Sequence, residues 1–236
     1  MKLRVISLFT LFLVIYGCHD PDEDFTSIRE VEFNLLMPEN EILADGFSEY
    51  EFEIRLPGIR NGNPQTVSLN TTWGNWVNDS SSINVAIAYN AISDAYIETV
   101  KLSAERSSGP FVMQLNEDSS PLKTINLEAQ PQFPTHVQIV SDSIEIQLMP
   151  GNTTQLRALF FNDNGFPSDA IRYQFETEAN VNIFPDEVLI QSSEAMATLQ
   201  ITTETVSDTI SIYGSIPELG MMQPIIDTLR IAINDN

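Results

Sequence analysis

Hydrophobic and polar residues alternate with a period of two along most of this chain. The clearest example spans residues 49 to 56, where apolar Tyr50, Phe52, Ile54 and Leu56 alternate with charged Glu49, Glu51, Glu53 and Arg55. This pattern predicts a strand with one face on a core and the other in water, because successive side chains of a strand point to opposite faces. The same alternation recurs at Val31-Phe33-Leu35, Val67-Leu69-Thr71, Phe111-Met113-Leu115, Leu156-Ala158-Phe160, Ile171-Tyr173-Phe175, Ala197-Leu199-Ile201 and Leu229-Ile231-Ile233.

Turn residues separate these segments. Asn61-Gly62-Asn63-Pro64 and Asn164-Gly165 supply the positive φ of glycine and the fixed φ of proline that tight turns need. Beyond the N-terminal region, no long segment shows the spacing of an amphipathic helix. Many short strands separated by turns predict an all-β chain built of immunoglobulin-like (Ig-like) Greek-key β-sandwiches.

An internal repeat sets the number of sandwiches. Residues 41–72 align with residues 146–177, with Gly46 over Gly151 and the loop ending at Pro64 over the loop ending at Pro167. A repeat of this length indicates a duplicated domain, because solenoid units are much shorter. We therefore predict two tandem domains, residues 29–130 and residues 131–236, with the boundary in the segment that Pro131 and Pro134 bracket.

The first repeat resembles the bacterial Ig-like domains of the invasin and intimin group. The resemblance is carried by Ala44-Asp45-Gly46, by the alternating strand that follows, and by Asn61-Gly62-Asn63-Pro64. The second repeat keeps Gly151 and Asn164-Gly165-Phe166-Pro167. The resemblance implies that both domains are Ig-like units of the kind that mostly serve as rigid stalk segments.

The N-terminus has the pattern of a targeting segment. Lys2 and Arg4 precede an apolar stretch that ends at Tyr16, and Gly17-Cys18 follows, so residues 1–17 are predicted to be a signal peptide. The segment before Cys18 resembles the lipobox of bacterial lipoproteins, which implies that Cys18 is lipidated and becomes the mature N-terminus. The alternatives are an ordinary cleaved signal that leaves a free thiol and an uncleaved anchor helix.

Acidic residues follow the cysteine within the predicted linker, residues 18–28. Asp20, Asp22, Glu23 and Asp24 resemble the acidic export signal of Bacteroidetes-type surface lipoproteins, which implies a lipid-anchored location on the outer membrane, facing the cell exterior. A solvated linker, kept extended by Pro21, is the alternative. A calcium site is a third interpretation, although these acids lack a glycine-turned loop to bring them together.

The net charge of the chain limits the classes of molecule that it can bind. The chain has 33 acidic and 11 basic residues, with a formal net charge of −22 and a pI near 4.1. Nucleic acid and anionic lipid headgroups are therefore unsuitable partners, since both are negatively charged. The membrane contact is expected to be the N-terminal lipid, and other cell-surface proteins or glycans are the expected partners.

The residues that catalysis usually needs are scarce. The two histidines are His19 and His136, and the sole cysteine is Cys18, so neither a Ser-His-Asp triad nor a histidine metal site can be assembled. Most acids occupy outward positions of alternating strands, and hairpin geometry explains acidic turns such as residues 162–165. The sequence leaves open whether two of the many acids form the carboxylate pair of a glycoside hydrolase. We predict no enzymatic activity, no cofactor and no metal.

Two tryptophans form the most site-like feature. Trp73 shares a strand face with Val67, Leu69 and Thr71 and is predicted to lie in the core. Trp76 follows Gly74-Asn75 and is predicted to lie in a loop, where its indole is a possible glycan contact. A loop tryptophan that only stabilises the fold is the alternative.

Two functions are compatible with these patterns. The first is a non-catalytic, surface-anchored lipoprotein whose tandem Ig-like domains act as a spacer or as a protein-interaction module for adhesion or accessory assembly. The second is a glycan-binding accessory lipoprotein of a polysaccharide-uptake system. The sequence favours the first, because proteins of the second kind add distinct carbohydrate-binding modules and this chain shows two similar domains.

Overall fold

The computed structural model describes residues 31–57, 64–205, 209–222 and 227–234. Strands dominate these ranges, and the regular helices among them are two short 3₁₀ segments, Glu39–Glu41 and Pro217–Met222. The strands of the first sandwich are β1 (Glu32–Leu35), β2 (Glu49–Pro57), β3 (Gln65–Thr71), β4 (Asn75–Trp76), β5 (Ser82–Ile87), β6 (Tyr89–Asn90), β7 (Ala95–Ser103), β8 (Gly109–Glu117) and β9 (Ser120–Ala129). Those of the second are β10 (His136–Ser141), β11 (Glu145–Gln147), β12 (Thr153–Phe161), β13 (Arg172–Thr177), β14 (Val181–Phe184), β15 (Glu187–Leu189), β16 (Glu194–Ile201), β17 (Thr209–Ser215) and β18 (Thr228–Asn234).

Each sandwich consists of two sheets with matching strand orders. In the first sandwich the orders are β1-β2-β7-β4, with β6 also pairing with β7, and β5-β3-β8-β9. In the second they are β10-β12-β16-β14 and β11-β18-β17-β13-β15. The main strand pairs are antiparallel, but β11 runs parallel to β18, and Leu43 makes the corresponding parallel bridge to Gln130. This is the all-β Ig-like arrangement that the sequence predicts.

The predicted alternation is confirmed by burial. Tyr50, Phe52, Ile54 and Leu56 are each at most 3% exposed, whereas Glu49 and Glu51 face solvent. On the outer face, Lys101 of β7 contacts the carboxylates of Glu49 at 3.2 Å and Glu51 at 3.5 Å. These exposed ion pairs raise the pKa of Lys101, mainly through the hydrogen bond to Glu49, and contribute little to stability.

The chain passes through each sandwich from one end to the other. It enters the first where Glu32 lies opposite Arg55 and leaves it at Ala129, beside the start of β8. It enters the second where His136 lies opposite Phe161, and β18 ends at Asn234 beside Gln147, near the opposite end of β12. The two sandwiches therefore follow one another in series.

Each sandwich has its own hydrophobic cluster. Buried residues of the first run from Phe33 to Ala129, and those of the second from Ile139 to Ile233. None of the described sheets includes strands from both sandwiches. The predicted domain limits, residues 29–130 and 131–236, stay predictions.

Both tryptophans are buried in the first cluster. Trp73 is 5% exposed, stacks on Phe111 with 4.8 Å between ring centroids, and donates from Nε1 to the Ser107 carbonyl at 2.6 Å, which confirms its predicted core position. The predicted loop position of Trp76 is wrong, because Trp76 belongs to β4 and is 1% exposed. Its indole therefore offers no free face on which a sugar ring could stack.

Gly74 explains why the prediction for Trp76 failed. The chain leaves β3 in one sheet and reaches β4 in the facing sheet within a few residues, turning at Gly74, whose φ is +69°. A Cβ on this glycine would lie 2.5 Å from the Ser103 carbonyl oxygen, so the close crossing needs a residue without a side chain. Strand parity does not extend across such a crossing, and both indoles point into the same interior, Trp73 from just beyond the end of β3 and Trp76 from β4 in the facing sheet.

Candidate functional site at the interface between the sandwiches

The two motifs that the sequence singles out lie against each other. The turn Ala44-Asp45-Gly46 of the first sandwich contacts the loop Gly165-Phe166-Pro167 of the second. The Phe166 N–H donates to the Asp45 carbonyl at 2.9 Å. A Cβ on Gly165 would lie 3.2 Å from the Cβ atoms of both Asp45 and Phe47. We call residues 44–47, 106, 132, 165–169 and 193 the inter-sandwich interface.

The Asp45 side chain shapes the turn from within. Its Oδ1 accepts hydrogen bonds from the N–H groups of Phe47 at 2.9 Å and Ser48 at 2.8 Å, and its Oδ2 accepts one from the Ser48 hydroxyl. The carboxylate is 3% exposed and acts as the acceptor of an Asx-type turn. Because the turn is satisfied internally, the carbonyls of Ala44 and Asp45 are free to accept bonds from the second sandwich.

Ser168 connects the turn to the linker between the sandwiches. Its hydroxyl donates to the Ala44 carbonyl at 2.5 Å and accepts from the Gln132 N–H at 2.8 Å. The Ser168 N–H also donates to the Gln132 carbonyl at 2.9 Å. Gln132 in turn donates from Nε2 to the Asn164 carbonyl at 2.9 Å. Since Ser168 is fully buried, the bond from its hydroxyl to the Ala44 carbonyl is sheltered from competing water.

Arg106 of the first sandwich makes the most contacts across the interface. Its guanidinium donates to the Pro167 carbonyl from Nε at 3.2 Å and from Nη2 at 2.9 Å, and Nη2 also donates to the Ser193 hydroxyl at 2.7 Å. The Asp169 carboxylate lies 3.5 Å away, and the Phe166 ring centroid lies 5.3 Å from Cζ. The planar guanidinium thus combines directional hydrogen bonds with a cation–π contact, which a lysine ammonium could not reproduce.

Gly46 provides the space for Arg106. A Cβ at this position would lie 2.5 Å from Arg106 Cγ, and the φ of Gly46 is +61°. The backbone completes the arrangement, because the Asp169 N–H donates to the Arg106 carbonyl at 2.8 Å. Glycine is therefore required both for the turn and for the passage of the arginine stem.

Asp169 also fixes the turn that receives Arg106. Ser192 and Ser193 form a two-residue turn with φ of 52° and 66°, between Gln191 and Glu194, which bridge each other. Two consecutive serines in the left-handed region are unfavourable unless other contacts hold them. The Ser192 N–H donates to Asp169 Oδ1 at 2.9 Å, and the Ser193 hydroxyl binds Arg106. The interface and this hairpin turn support each other.

Several predicted site residues cannot be placed. Cys18 and the acidic residues Asp20, Asp22, Glu23 and Asp24 lie outside the described residues, as do Asn61, Gly62 and Asn63. His136 is exposed at the start of β10. Within the described ranges, no group of three or more histidine, cysteine, aspartate or glutamate side chains could hold a metal ion. No helix of the described residues has the length and apolar character to cross a membrane.

Sequence reasoning missed Arg106, Ser168 and Gln132 as interface residues. Within one domain, each turn motif predicts only a local reversal of the chain. A usable signal was nevertheless present, because the first motif precedes the alternating strand of its repeat, the second follows the corresponding strand of the next repeat, and the linker between the repeats is short. Loops at facing ends of tandem domains then have to meet.

Comparison with known proteins supports the fold. No protein-family model matches the chain, and no curated protein matches it. The solved structure of the adhesin InvE from Yersinia pseudotuberculosis matches with a TM-score of 0.56 and 14% identity, over 87% of this chain and 60% of that one. This chain thus spans about 60% of the length of InvE. At this identity the match shows the shared Ig-like fold and no more.

Two further structures are more distant. The structure of invasin, described as a bacterial integrin-binding protein, matches with a TM-score of 0.44 and 14% identity, over 86% of this chain and 41% of that one. A glycosyl hydrolase family 2 member from Bacteroides cellulosilyticus matches with a TM-score of 0.36 and 10% identity, over 81% of this chain and 24% of that one. Scores this low identify no relative.

Proposed function

We propose that this protein is a non-catalytic, surface-anchored lipoprotein whose two Ig-like sandwiches act as a rigid spacer and interaction module. The observation that carries the proposal is the inter-sandwich interface. Contacts across it come from the turn at Asp45, the linker at Gln132, the loop at Phe166 and the hairpin turn at Ser193. Rotation of one sandwich against the other would break several of these contacts together, so the pair should move as one body.

The buried position of the contacts strengthens this argument. Interfaces between neighbouring domains are usually polar and permit relative motion. Here the Ser168 hydroxyl and the Ala44 carbonyl are paired away from solvent, and separation would leave the Arg106 guanidinium without its acceptors at Pro167 and Ser193. Hydrogen bonds to a charged group are worth about 1.5 to 3 kcal/mol each, which opposes hinge opening.

The series arrangement suits a spacer. β2 and β12 each contain 9 residues, which at about 3.3 Å per residue gives roughly 30 Å for each sandwich and about 60 Å for the pair. In the proposed orientation, lipid on Cys18 holds the end of the first sandwich where β1 begins, and the acidic residues after Cys18 direct the protein to the outer face of the outer membrane. The second sandwich is then presented away from the anchor.

Adhesion or accessory assembly with another surface protein is the role we favour. InvE, which shares the fold, is described as an adhesin. The alternative, a glycan-binding accessory lipoprotein, loses its candidate sugar contact, because the Trp76 indole is buried. We therefore expect the partner to be a protein, bound through a surface of the spacer.

Rigidity can be measured with two spin labels, one in each sandwich. Labels on Asn126→Cys in β9 and Thr153→Cys in β12, both exposed positions, should give a narrow distance distribution by double electron–electron resonance. Adding Arg106→Ala together with Ser168→Ala should broaden it, because the bonds to Pro167, Ser193 and Ala44 are lost. Lys101→Ala, which removes the outer-face ion pairs with Glu49 and Glu51 but no contact across the interface, is the matched control. A distribution already broad without the interface changes would exclude a rigid spacer.

The anchor is tested at Cys18. Cys18→Ala should prevent lipid attachment and release the mature protein from membranes, because without acyl chains the two sandwiches have no apolar group to insert into the bilayer. Membrane fractionation with a high-salt wash measures this, and mass spectrometry of the mature N-terminus identifies the lipid. Retention in washed membranes of a Cys18→Ala protein from which residues 1–17 have been removed would refute the lipoprotein proposal while leaving the spacer proposal intact.

A further inference from the structure

Strand β5 forms one edge of the first sandwich. It pairs with β3 along Ser82 to Ile87, and among the described residues no strand pairs with its other side. An edge strand presents a row of backbone N–H and C=O groups to which another strand can add. Native proteins usually block this addition with charged side chains, proline, short strand length or a covering segment.

β5 has none of the charges that protect such an edge. Residues 80–93 contain no aspartate, glutamate, lysine or arginine, in a chain that has 33 acidic and 11 basic residues. The strand is six residues long and contains no proline. It is therefore an uncharged edge of ordinary length on a body whose formal net charge is −22.

Three other edge strands among the described residues are protected. β9 carries Pro121, Lys123 and Glu128. On the edge of β10, a side chain occupies one backbone donor, because the Ile139 N–H donates to Asp227 Oδ2 at 2.7 Å. The sharpest contrast is β15, which occupies in the second sandwich the position that β5 occupies in the first. It has 3 residues, one of them the exposed Glu187.

The side chains of β5 are arranged for pairing with an identical strand. Ile83 and Val85 are half-buried and Ile87 is buried on the inner face, whereas Ser82, Asn84 and Ala86 are exposed on the outer face. We propose that β5 is a homodimerisation site, at which the β5 strands of two copies pair antiparallel about a two-fold axis at Val85. Ile83 of one copy then lies opposite Ile87 of the other, and Asn84 opposite Ala86.

A second copy meets the least charge repulsion along this strand, and the register suits an identical strand. A second copy carries the same strong negative charge, so repulsion opposes contact at most surfaces and is weakest along an uncharged strand. The Val85-centred register keeps apolar residues opposite apolar residues on the inner face. A shift by one residue would place inward-facing side chains opposite outward-facing ones. Pairing joins two four-stranded sheets into one eight-stranded sheet with β5 strands at its centre.

The proposal is tested by cross-linking the detergent-solubilised mature protein, in which no membrane restricts the relative direction of two copies. Val85→Cys, which places its thiol on the two-fold axis, should form a dimer with a short bis-thiol-reactive cross-linker. Asn126→Cys, on the protected edge strand β9, is the matched control and should not. The wild-type protein shows whether Cys18 itself reacts. A Val85→Cys protein that stays monomeric would overturn the proposal.

A charge pair then tests the register. Asn84→Glu with Ala86→Glu, added to Val85→Cys, places like charges directly opposite each other and should lower the cross-linked fraction by about tenfold. Asn84→Glu with Ala86→Lys places opposite charges across the axis and should preserve the dimer. Both positions are exposed in one copy, so both double variants should fold alike. Equal loss in both variants, or no loss in either, would overturn the proposed pairing.

Discussion

Trp76→Ala should destabilise the first sandwich as severely as Trp73→Ala, by about 3 to 5 kcal/mol each, because truncation of a buried aromatic leaves a cavity in the core. Trp76 is 1% exposed, and its ring meets Phe52 edge to face with 6.4 Å between centroids. Trp73 is 5% exposed and stacks on Phe111. Denaturant unfolding measures both losses, since each variant keeps one indole as a fluorescent reporter.

The corresponding phenylalanine variants should separate the two tryptophans. Trp73→Phe loses the Nε1 hydrogen bond to the Ser107 carbonyl as well as packing area. Trp76 Nε1 is buried with no hydrogen-bond partner among the described residues, so Trp76→Phe removes an unsatisfied donor and should be the milder change. Asn75→Ala, an exposed neighbour, is the control. A loss below about 1 kcal/mol for Trp76→Ala would show that its indole is not in the core.

Strands and their buried faces were predictable because period-two alternation is a local property. Phe52 and Tyr173 each sit between polar neighbours in sequence, and both prove fully buried. The physical reason is that a one-sided strand has only one register that buries its apolar face. The pattern therefore specifies the inner face without knowledge of the partner strand.

Contacts that depend on where distant segments meet were not predictable in this way. Trp76 was misplaced because β4 crosses to the opposite sheet after Gly74, and no local pattern reveals the sheet to which a two-residue strand belongs. The inter-sandwich interface was missed because its donors and acceptors lie far apart in sequence, with a separation of 124 positions from Ala44 to Ser168. In the sequence, Arg106 resembles an ordinary solvent-exposed basic residue. Its role depends on Gly46 and Pro167, which only the fold places next to it.

Gly214→Ala should destabilise the second sandwich by about 3 kcal/mol or more, because an added Cβ has no space. It would lie 1.6 Å from the Tyr173 hydroxyl oxygen and 2.2 Å from Cζ. The Tyr173 ring cannot move aside easily, since Phe160 and Phe175 meet it edge to face with centroids at 4.8 and 4.9 Å. Far-ultraviolet circular dichroism during denaturant unfolding measures the loss. The tryptophans, both in the first sandwich, report separately on their own unfolding transition.

Substitutions of Tyr173 test whether steric overlap causes the destabilisation by Gly214→Ala. Burial raises the pKa of Tyr173, with a further contribution from the negative charge of Asp227, and its hydroxyl has no hydrogen-bond partner among the described residues. Tyr173→Phe alone should therefore be close to neutral. It should not rescue Gly214→Ala, because the ring carbon at the Cζ position remains. Tyr173→Leu, which removes that carbon, should cost less in the Gly214→Ala background than alone. Additive losses in the double variant would show that the alanine methyl group and the tyrosine ring do not compete for the same space.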